Sequence, residues 1–199
     1  FTLPAHERPV HSPGLTSGNI SQEPIVISNE EAIKRLKGIA DFYLLHDRDI
    51  YTRSDDSVIY LSEGKERLVR RSRGYCPLPI HLGYPCREIL ACGAELKNTI
   101  TLTRAEDAFV SQYIGDLENM ETLRFFEHTV NKMKRIIKVN PKIIAYDMHP
   151  DYLSTQYARQ ASGYELKIPV QHHHAHVASC MAEHGILSLI HISEPTRPY

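Results

Sequence analysis

The chain has 199 residues, of which 42% are apolar and 24% charged, and its 23 basic and 24 acidic residues nearly cancel. This length and apolar content suffice for one large domain or parts of two, and they exclude a disordered chain. The balanced charge gives no reason to expect nucleic acid as a partner. No stretch approaches the ~20 apolar residues that cross a bilayer, so no membrane association is expected.

The cysteines and the chain ends give two further expectations. The four cysteines contain no CxxC pair, and no signal peptide precedes them. We therefore expect reduced thiols in a cytoplasmic protein, and no structural zinc site built from cysteine. The chain begins at Phe1 without Met and ends at Tyr199 without a closing element, which indicates a fragment of a longer protein.

The first part of the chain predicts a few short elements. Ser28 followed by Glu31 forms a capping box, so a helix is expected to begin there, with Ile33, Leu36 and Ile39 on its apolar face. Strands are predicted at residues 24–27, 42–45, 57–61 and 67–70. Three prolines and two glycines between residues 72 and 85 make poor helix and poor strand, so a linker is predicted there.

After this linker the pattern becomes regular. A long helix is predicted to begin at Asn119 or Glu121, because Phe126, Val130 and Met133 belong to an apolar series spaced by three or four residues. The other predicted elements are strands at 88–92, 98–102, 108–114, 142–146 and 166–170, and helices at 150–162 and 172–184. The order βββαβαβα predicts an α/β fold with a mixed sheet and crossover helices.

A histidine run marks the start of the last predicted helix. His172 and His176 are four residues apart, so on a helix both imidazoles project from one face and can share a metal ion. The run lies at a strand-to-helix junction, where side chains often face a site. A third ligand, a carboxylate, must come from elsewhere, and this spacing suits zinc and iron alike. The alternative is a hydrogen-bonded structural pair.

Two segments can bind phosphate. The glycine-bearing turn at residues 93–98 can hold phosphate through backbone N–H groups and Lys97, or it can be an ordinary hairpin turn. The bases Arg70, Arg71 and Arg73, together with the polar run at 16–19, can bind the phosphates of a nucleotide. The alternative for the bases is a solvated basic strand.

Two acidic segments also have open interpretations. Asp147, His149 and Asp151 follow a predicted strand and can serve acid–base or metal chemistry, or one of the carboxylates can cap the next helix. Asp55 and Asp56 can hold Mg²⁺ or form a turn.

Longer motifs carry a family resemblance. TSGNISQEPI at 16–25, HDR at 46–48, RSDDSV at 53–58 and RRSRGY at 70–75 resemble the end of a YrdC-like domain. GAELKNT at 93–99, GDLEN at 115–119, HPDYLST at 149–155 and QHHHAH at 171–176 resemble the first half of a TsaD-like domain, which has an actin-like, ribonuclease-H-like (ASKHA) fold. In this order the motifs resemble the HypF carbamoyltransferase family of nickel–iron hydrogenase maturation.

The resemblance implies a domain organisation. Residues 1–72 would be the C-terminal part of the YrdC-like domain, 73–86 the Pro/Gly linker, and 87–186 the N-terminal part of the TsaD-like domain. Residues 187–199 no longer follow the family. The acylphosphatase domain, the zinc-finger region and the other halves of both domains are missing, so we expect that this chain cannot complete the reaction alone.

The resemblance also implies a reaction and its residues. With ATP and Mg²⁺, the family converts carbamoyl phosphate to carbamoyl adenylate and passes the carbamoyl group to the C-terminal cysteine of HypE, for the cyanide ligands of the hydrogenase iron. Ser17 and Asn19 match the ATP-binding Ser-x-Asn element, and His172 and His176 match the metal ligands. The nucleotide contacts implied with less support are Arg70, Arg71, Arg73 and Lys97.

Two other functions remain open on sequence. A tRNA-threonylcarbamoylating enzyme shares both domain types, but its domains usually lie on separate chains and its helix carries an acid inside the HxxxH motif. A histidine-rich metal-binding module would need no such fold. Histidines that face a cleft from a βββαβαβα half-domain would favour the enzymes over the module.

Overall fold

The computed structural model describes residues 18–21 and 23–186. Within these residues the helices are α1 (Asn29–Arg35), α2 (Met120–Ile137), α3 (Leu153–Gln160) and α4 (His172–His184). The strands are β1 (Val58–Ser62), β2 (Lys65–Arg70), β3 (Pro79–Cys86), β4 (Ile89–Ala91), β5 (Thr101–Val110), β6 (Ile143–Asp147) and β7 (Leu166–Val170). None of the helices in this part of the chain is long and apolar enough to cross a membrane.

The strands form two sheets. β1 and β2 pair as an antiparallel hairpin, and the larger sheet has the order β3-β5-β4-β6-β7. Pairing is antiparallel from β3 through β5 to β4 and parallel from β4 through β6 to β7. The predicted α/β fold with a mixed sheet is therefore confirmed, since the parallel strands are joined by the crossover helices α2 and α3.

The segment assigned to β5 folds back on itself. Ten extended residues would span ~33 Å, yet the Ser111 N–H, just after the segment, donates to the Ile100 carbonyl, just before it, at 2.8 Å. The turn lies near Ala105, which has a left-handed φ of 55°. One arm pairs with β4 and the other with β3. The two arms correspond to the two strands predicted at 98–102 and 108–114.

The Pro/Gly segment was predicted to form a linker without strands, and this is wrong for residues Pro79–Cys86, which form β3. This strand pairs with β5, with a register irregularity between His81 and Cys86. β3 lies at the edge of the sheet and pairs with a neighbouring strand on one side only. Pro79 and Pro85 are tolerated there, because an edge strand can lack a backbone N–H on its unpaired side. Gly83 takes a φ of 76° within the irregular stretch. The domain boundaries at 72/73 and 86/87 stay a prediction.

The N-terminal part is less regular than predicted. The Glu31 N–H donates to Ser28 Oγ at 3.0 Å, which confirms the N-cap of α1. The helix ends at Arg35, however, and none of its residues is buried. The strands predicted at 24–27 and 42–45 are absent from the described structure. These segments lack buried apolar side chains, and short apolar runs do not form strands without such packing.

The core lies between α2, α3 and one face of the larger sheet. Asn119 caps the start of α2, where its side chain accepts the Thr122 N–H at 2.9 Å. The apolar side of α2 packs into the core, as predicted. Burial raises the pKa of the Cys92 thiol to about 12, so this side chain packs as a neutral group. The buried apolar cluster comprises Leu90, Cys92, Ile100, Leu102, Phe109, Ile114, Leu117, Phe125, Phe126, Val130, Met133, Ile137, Val139, Ile144 and Ala158.

Phe126 is expected to dominate this core. It is fully buried, and its ring meets Tyr157 of α3 edge-on with the ring centroids 5.0 Å apart. Phe126→Ala should lower the free energy of unfolding by ~3–5 kcal/mol, because it removes apolar contacts and leaves a cavity. Ile136→Ala on the exposed face of α2 is the control and should cost less than ~1 kcal/mol. Equal losses in urea unfolding would contradict this placement of the core.

Candidate functional site

Three loops meet at one edge of the larger sheet. They follow β4, β6 and β7, which run in parallel, so their carboxyl ends lie side by side. Backbone hydrogen bonds tie the start of two of these loops to the neighbouring strand: the Cys92 N–H donates to Ala145 O of β6 at 2.9 Å, and the Met148 N–H donates to Val170 O of β7 at 3.1 Å. This edge carries the histidine run, the Asp147 segment and the glycine-bearing turn.

The structure brings His172 and His176 together. Both lie in the first turns of α4, and their Nε2 atoms are 3.2 Å apart. Zinc binds imidazole nitrogen at ~2.0–2.1 Å, which separates two nitrogen ligands by ~3.4 Å in tetrahedral geometry. The pair therefore fits a shared divalent metal. Among the described residues, no group of three or more His, Cys, Asp or Glu side chains could hold a metal, so further ligands would have to come from elsewhere.

Asp147 supports the histidine pair from the end of β6. Its Oδ2 lies 2.7 Å from His172 Nδ1, and its Oδ1 accepts the His149 N–H at 2.9 Å. Only 8% of Asp147 is exposed. A carboxylate on the second nitrogen of a metal-binding histidine is a common supporting contact. From the sequence, Asp147 was a candidate for acid–base or metal chemistry or for a helix cap, and its contact with His172 was not predicted.

The other two histidines of the run lie beside the cap of α4. Gln171 Oε1 accepts the His174 N–H at 2.9 Å and so caps the helix. Gln171 Nε2 lies 2.8 Å from His173 Nδ1. These contacts give Gln171 a structural role at the helix start, and they explain His173 without a metal.

The glycine-bearing turn after β4 is held by side chains. Gly93 has a φ of 68°, and Asn98 Nδ2 donates to Cys92 O at 2.9 Å across the turn. The Lys97 N–H donates to Asp116 Oδ1 at 2.6 Å. A backbone amide occupied by a carboxylate is not available to a phosphate, so this contact favours the hairpin interpretation of the turn. The role of Lys97 in nucleotide binding stays a prediction.

Glu95 in the same turn is a second residue that sequence analysis missed. Burial, and then the neighbouring Glu118, raise the pKa of its carboxyl, although a hydrogen bond from the Leu153 N–H opposes them. That bond places Glu95 at the start of α3, near His149 and Asp151. A partly exposed carboxyl with a raised pKa is a candidate for proton transfer. Sequence offered no signal, since these contacts join different loops.

A separate cleft of about 200 Å³ lies between the N-terminal part and the segment that leads from β5 into α2. Asn19 and Arg70 line it from one side, and Tyr113 from the other. The Arg70 guanidinium lies 4.6 Å from the centre of the Tyr113 ring. Burial raises the pKa of Asp55 although Arg70 is near. The carboxylates along the cleft are Glu23, Asp55, Asp116 and Glu118.

The other predicted nucleotide contacts lie elsewhere. Arg71 donates to Leu78 O at 3.2 Å, and Arg73 donates to Ser54 O at 3.2 Å and pairs with Asp56. Neither arginine lines the cleft in the described part of the chain. Ser17 lies outside the described residues.

Comparison with known proteins assigns the two parts of the chain to two family models. The model described as "HypF Kae1-like domain" matches residues 85–183, and the Sua5/YciO/YrdC model, described as "Telomere recombination", matches residues 10–72. The first of these covers the part that the sequence resemblance describes as TsaD-like.

Curated relatives and solved structures name the same family. The carbamoyltransferases HypF of Rhizobium leguminosarum bv. viciae and Synechocystis sp. are 46% and 42% identical over 84% and 86% of this chain. A crystal structure of full-length HypF in the phosphate- and nucleotide-bound form matches 85% of this chain, with 50% identity and a TM-score of 0.79, and this chain covers 27% of it. The chain belongs to the HypF carbamoyltransferase family. It spans about 22% of the length of the curated relatives.

Gly93→Ala should disturb this edge of the sheet. A Cβ at Gly93 would lie 2.5 Å from the Thr99 carbonyl oxygen, in addition to the cost of a left-handed residue. Gly163→Ala is the matched control, because Gly163 has a φ of 85° and nothing within 4 Å of its added Cβ. Gly163→Ala should lower the free energy of unfolding by ~1–2 kcal/mol, and Gly93→Ala should lower it by clearly more. Urea unfolding measures both changes. Equal losses of stability in the two variants would contradict the close approach between Gly93 and the Thr99 carbonyl.

Proposed function

We propose that this chain forms parts of both catalytic domains of a HypF-type carbamoyltransferase. In the proposed reaction, carbamoyl phosphate is first cleaved to carbamate and phosphate, and carbamate then attacks the α-phosphorus of magnesium-bound ATP to give carbamoyl adenylate and pyrophosphate. The C-terminal cysteine thiol of HypE finally takes the carbamoyl group, and AMP leaves. The relatives are named carbamoyltransferases, and a matching structure is described as phosphate- and nucleotide-bound. These names support the substrate classes proposed for this chain.

One observation carries the proposal. His172 and His176 place their Nε2 atoms 3.2 Å apart at the carboxyl edge of the sheet, where ligands of α/β folds bind. A zinc or iron ion held there would polarise the carbamoyl oxygen for attack by a thiol. Glu95 lies at the same sheet edge, and a carboxyl with a raised pKa is suited to take the thiol proton.

The cleft is the proposed nucleotide site. Arg70 supplies a guanidinium, which pairs well with phosphate oxygens. Four carboxylates would repel a bare triphosphate, but carboxylate oxygens such as those of Asp55 and Asp116 suit Mg²⁺. The composition of the cleft therefore favours a magnesium-bound nucleotide over a free one. Asn19 lines the same cleft, which agrees with its match to the Ser-x-Asn element.

The alternatives carry less support. The named relatives act as HypF carbamoyltransferases, which favours this family over a tRNA-threonylcarbamoylating enzyme. A histidine-rich metal-binding module would not require two histidines to converge at the end of parallel strands. Their convergence here therefore favours an enzyme over such a module. The described residues supply only two ligands to the proposed metal site, and the chain spans about 22% of the length of a curated relative. We therefore propose that the chain does not complete the reaction alone. A cytoplasmic location stays a prediction.

The metal site is tested by zinc binding to the purified chain. The wild-type chain should bind zinc stoichiometrically in equilibrium dialysis, and the His172→Ala, His176→Ala double variant should lose it, because both nitrogens are removed. The matched control is the His173→Ala, His174→Ala double variant, which removes as many imidazoles and should keep the metal. Metal that survives the first double variant would contradict the assignment.

The nucleotide cleft is tested by two arginine variants. Arg70→Ala should weaken the binding of magnesium-ATP ~10-fold or more in isothermal titration calorimetry, because a charge-assisted hydrogen bond contributes ~1.5–3 kcal/mol. Arg73→Ala removes an equal charge from an exposed ion pair with Asp56, and it should change the affinity less than ~3-fold. If Arg73→Ala weakens binding as much as Arg70→Ala, the cleft is not the nucleotide site.

A further inference from the structure

We propose that Asp147 is a positioning residue that fixes the ring orientation and tautomer of His172, so that Nε2 is presented as a lone pair toward His176. The proposal deepens the proposed function, because it rests on His172 and His176 as the metal pair. It assigns a role to a carboxylate that is 25 positions away in sequence and 2.7 Å away in space.

The direction of the Asp147–His172 hydrogen bond follows from the chemistry of its partners. A carboxylate has no proton to donate, so Asp147 Oδ2 accepts and His172 Nδ1 donates. A neutral imidazole carries a single N–H, so with Nδ1 protonated the Nε2 atom keeps its lone pair. That lone pair points at His176 Nε2, 3.2 Å away.

The carboxylate is rigid enough to impose this choice. Oδ1 is held by the His149 N–H at 2.9 Å, and the Asp147 carbonyl accepts the Thr155 hydroxyl at 2.7 Å. The Met148 N–H donates to Val170 O, two residues before His172. The carboxylate and the start of α4 are therefore fixed to the same pair of parallel strands, and Oδ2 is left to face the imidazole.

The arrangement prepares a place for a cation. Two imidazole nitrogens 3.2 Å apart repel each other unless a proton or a metal lies between them. Since His172 Nε2 is an acceptor, His176 Nε2 must supply the hydrogen in the metal-free chain. When a metal ion takes this place, the His176 proton must move from Nε2 to Nδ1, whereas His172 already has its proton on Nδ1.

The test is the tautomer of His172 in the metal-free chain. Nitrogen-15 NMR at pH 8.5, above the ordinary range of imidazole titration, should show His172 protonated at Nδ1. In Asp147→Asn the side-chain oxygen must still face the His149 N–H, so the amide NH₂ faces His172 Nδ1 and makes it an acceptor. His172 should then be protonated at Nε2. Asp151→Asn, the same change on the neighbouring loop, should leave the wild-type tautomer.

Two NMR results would overturn the proposal. One is a wild-type His172 protonated at Nε2, which decides the question even if a variant fails to fold. The other is an Asp147→Asn chain that folds and keeps Nδ1 protonated. A purely structural role for Asp147 would leave the tautomer unchanged, so the spectrum separates positioning from stability.

Zinc affinity distinguishes this proposal from the proposed function. If both hold, Asp147→Asn should weaken zinc binding ~10–100-fold, whereas Asp151→Asn should not. A wild-type chain that shows the expected tautomer but binds no zinc contradicts the metal site and leaves the role of Asp147 in place. If the wild-type and Asp147→Asn chains bind zinc with equal affinity, the positioning role of Asp147 is overturned while the metal site stands.

Discussion

The parallel pairing of β6 with β4 on one side and β7 on the other is the constraint on which the candidate site depends. Strands that run in parallel end at the same edge, so the loops that follow them must meet. Asp147, the last residue of β6, thereby reaches the first residue of α4 after β7. The helices α2 and α3 make these parallel connections possible, and their buried faces form the core that holds the sheet.

Sequence patterns predicted those elements whose burial follows a simple period. The boundaries of β7 and α4 were predicted correctly, and α2 was recognised because its apolar residues face one layer of the core. The strand β3 was missed because prolines and glycines argue against a strand, and an edge position that tolerates them is a property of the assembled sheet. The segments around α1 were overpredicted, since local propensity does not reveal the absence of buried partners.

The candidate site shows the same division. His172 and His176 could be predicted, because a spacing of four on a helix depends on local geometry alone. The contacts of Asp147 and Glu95 depend on which strands are neighbours, which no local pattern encodes. Arg70 and Arg71 were indistinguishable by charge, yet they are consecutive near the end of a strand and point in different directions. One faces Tyr113 and the other reaches Leu78.

The central claim is that this chain presents two imidazole nitrogens to one metal ion. The X-ray absorption spectrum of the zinc-loaded chain tests it most directly, because multiple scattering from imidazole rings counts the histidine ligands. The structure predicts two imidazoles at ~2.0–2.1 Å from zinc, with the remaining ligands oxygen. A zinc ion with a single imidazole, or with sulfur in its coordination shell, would contradict this account.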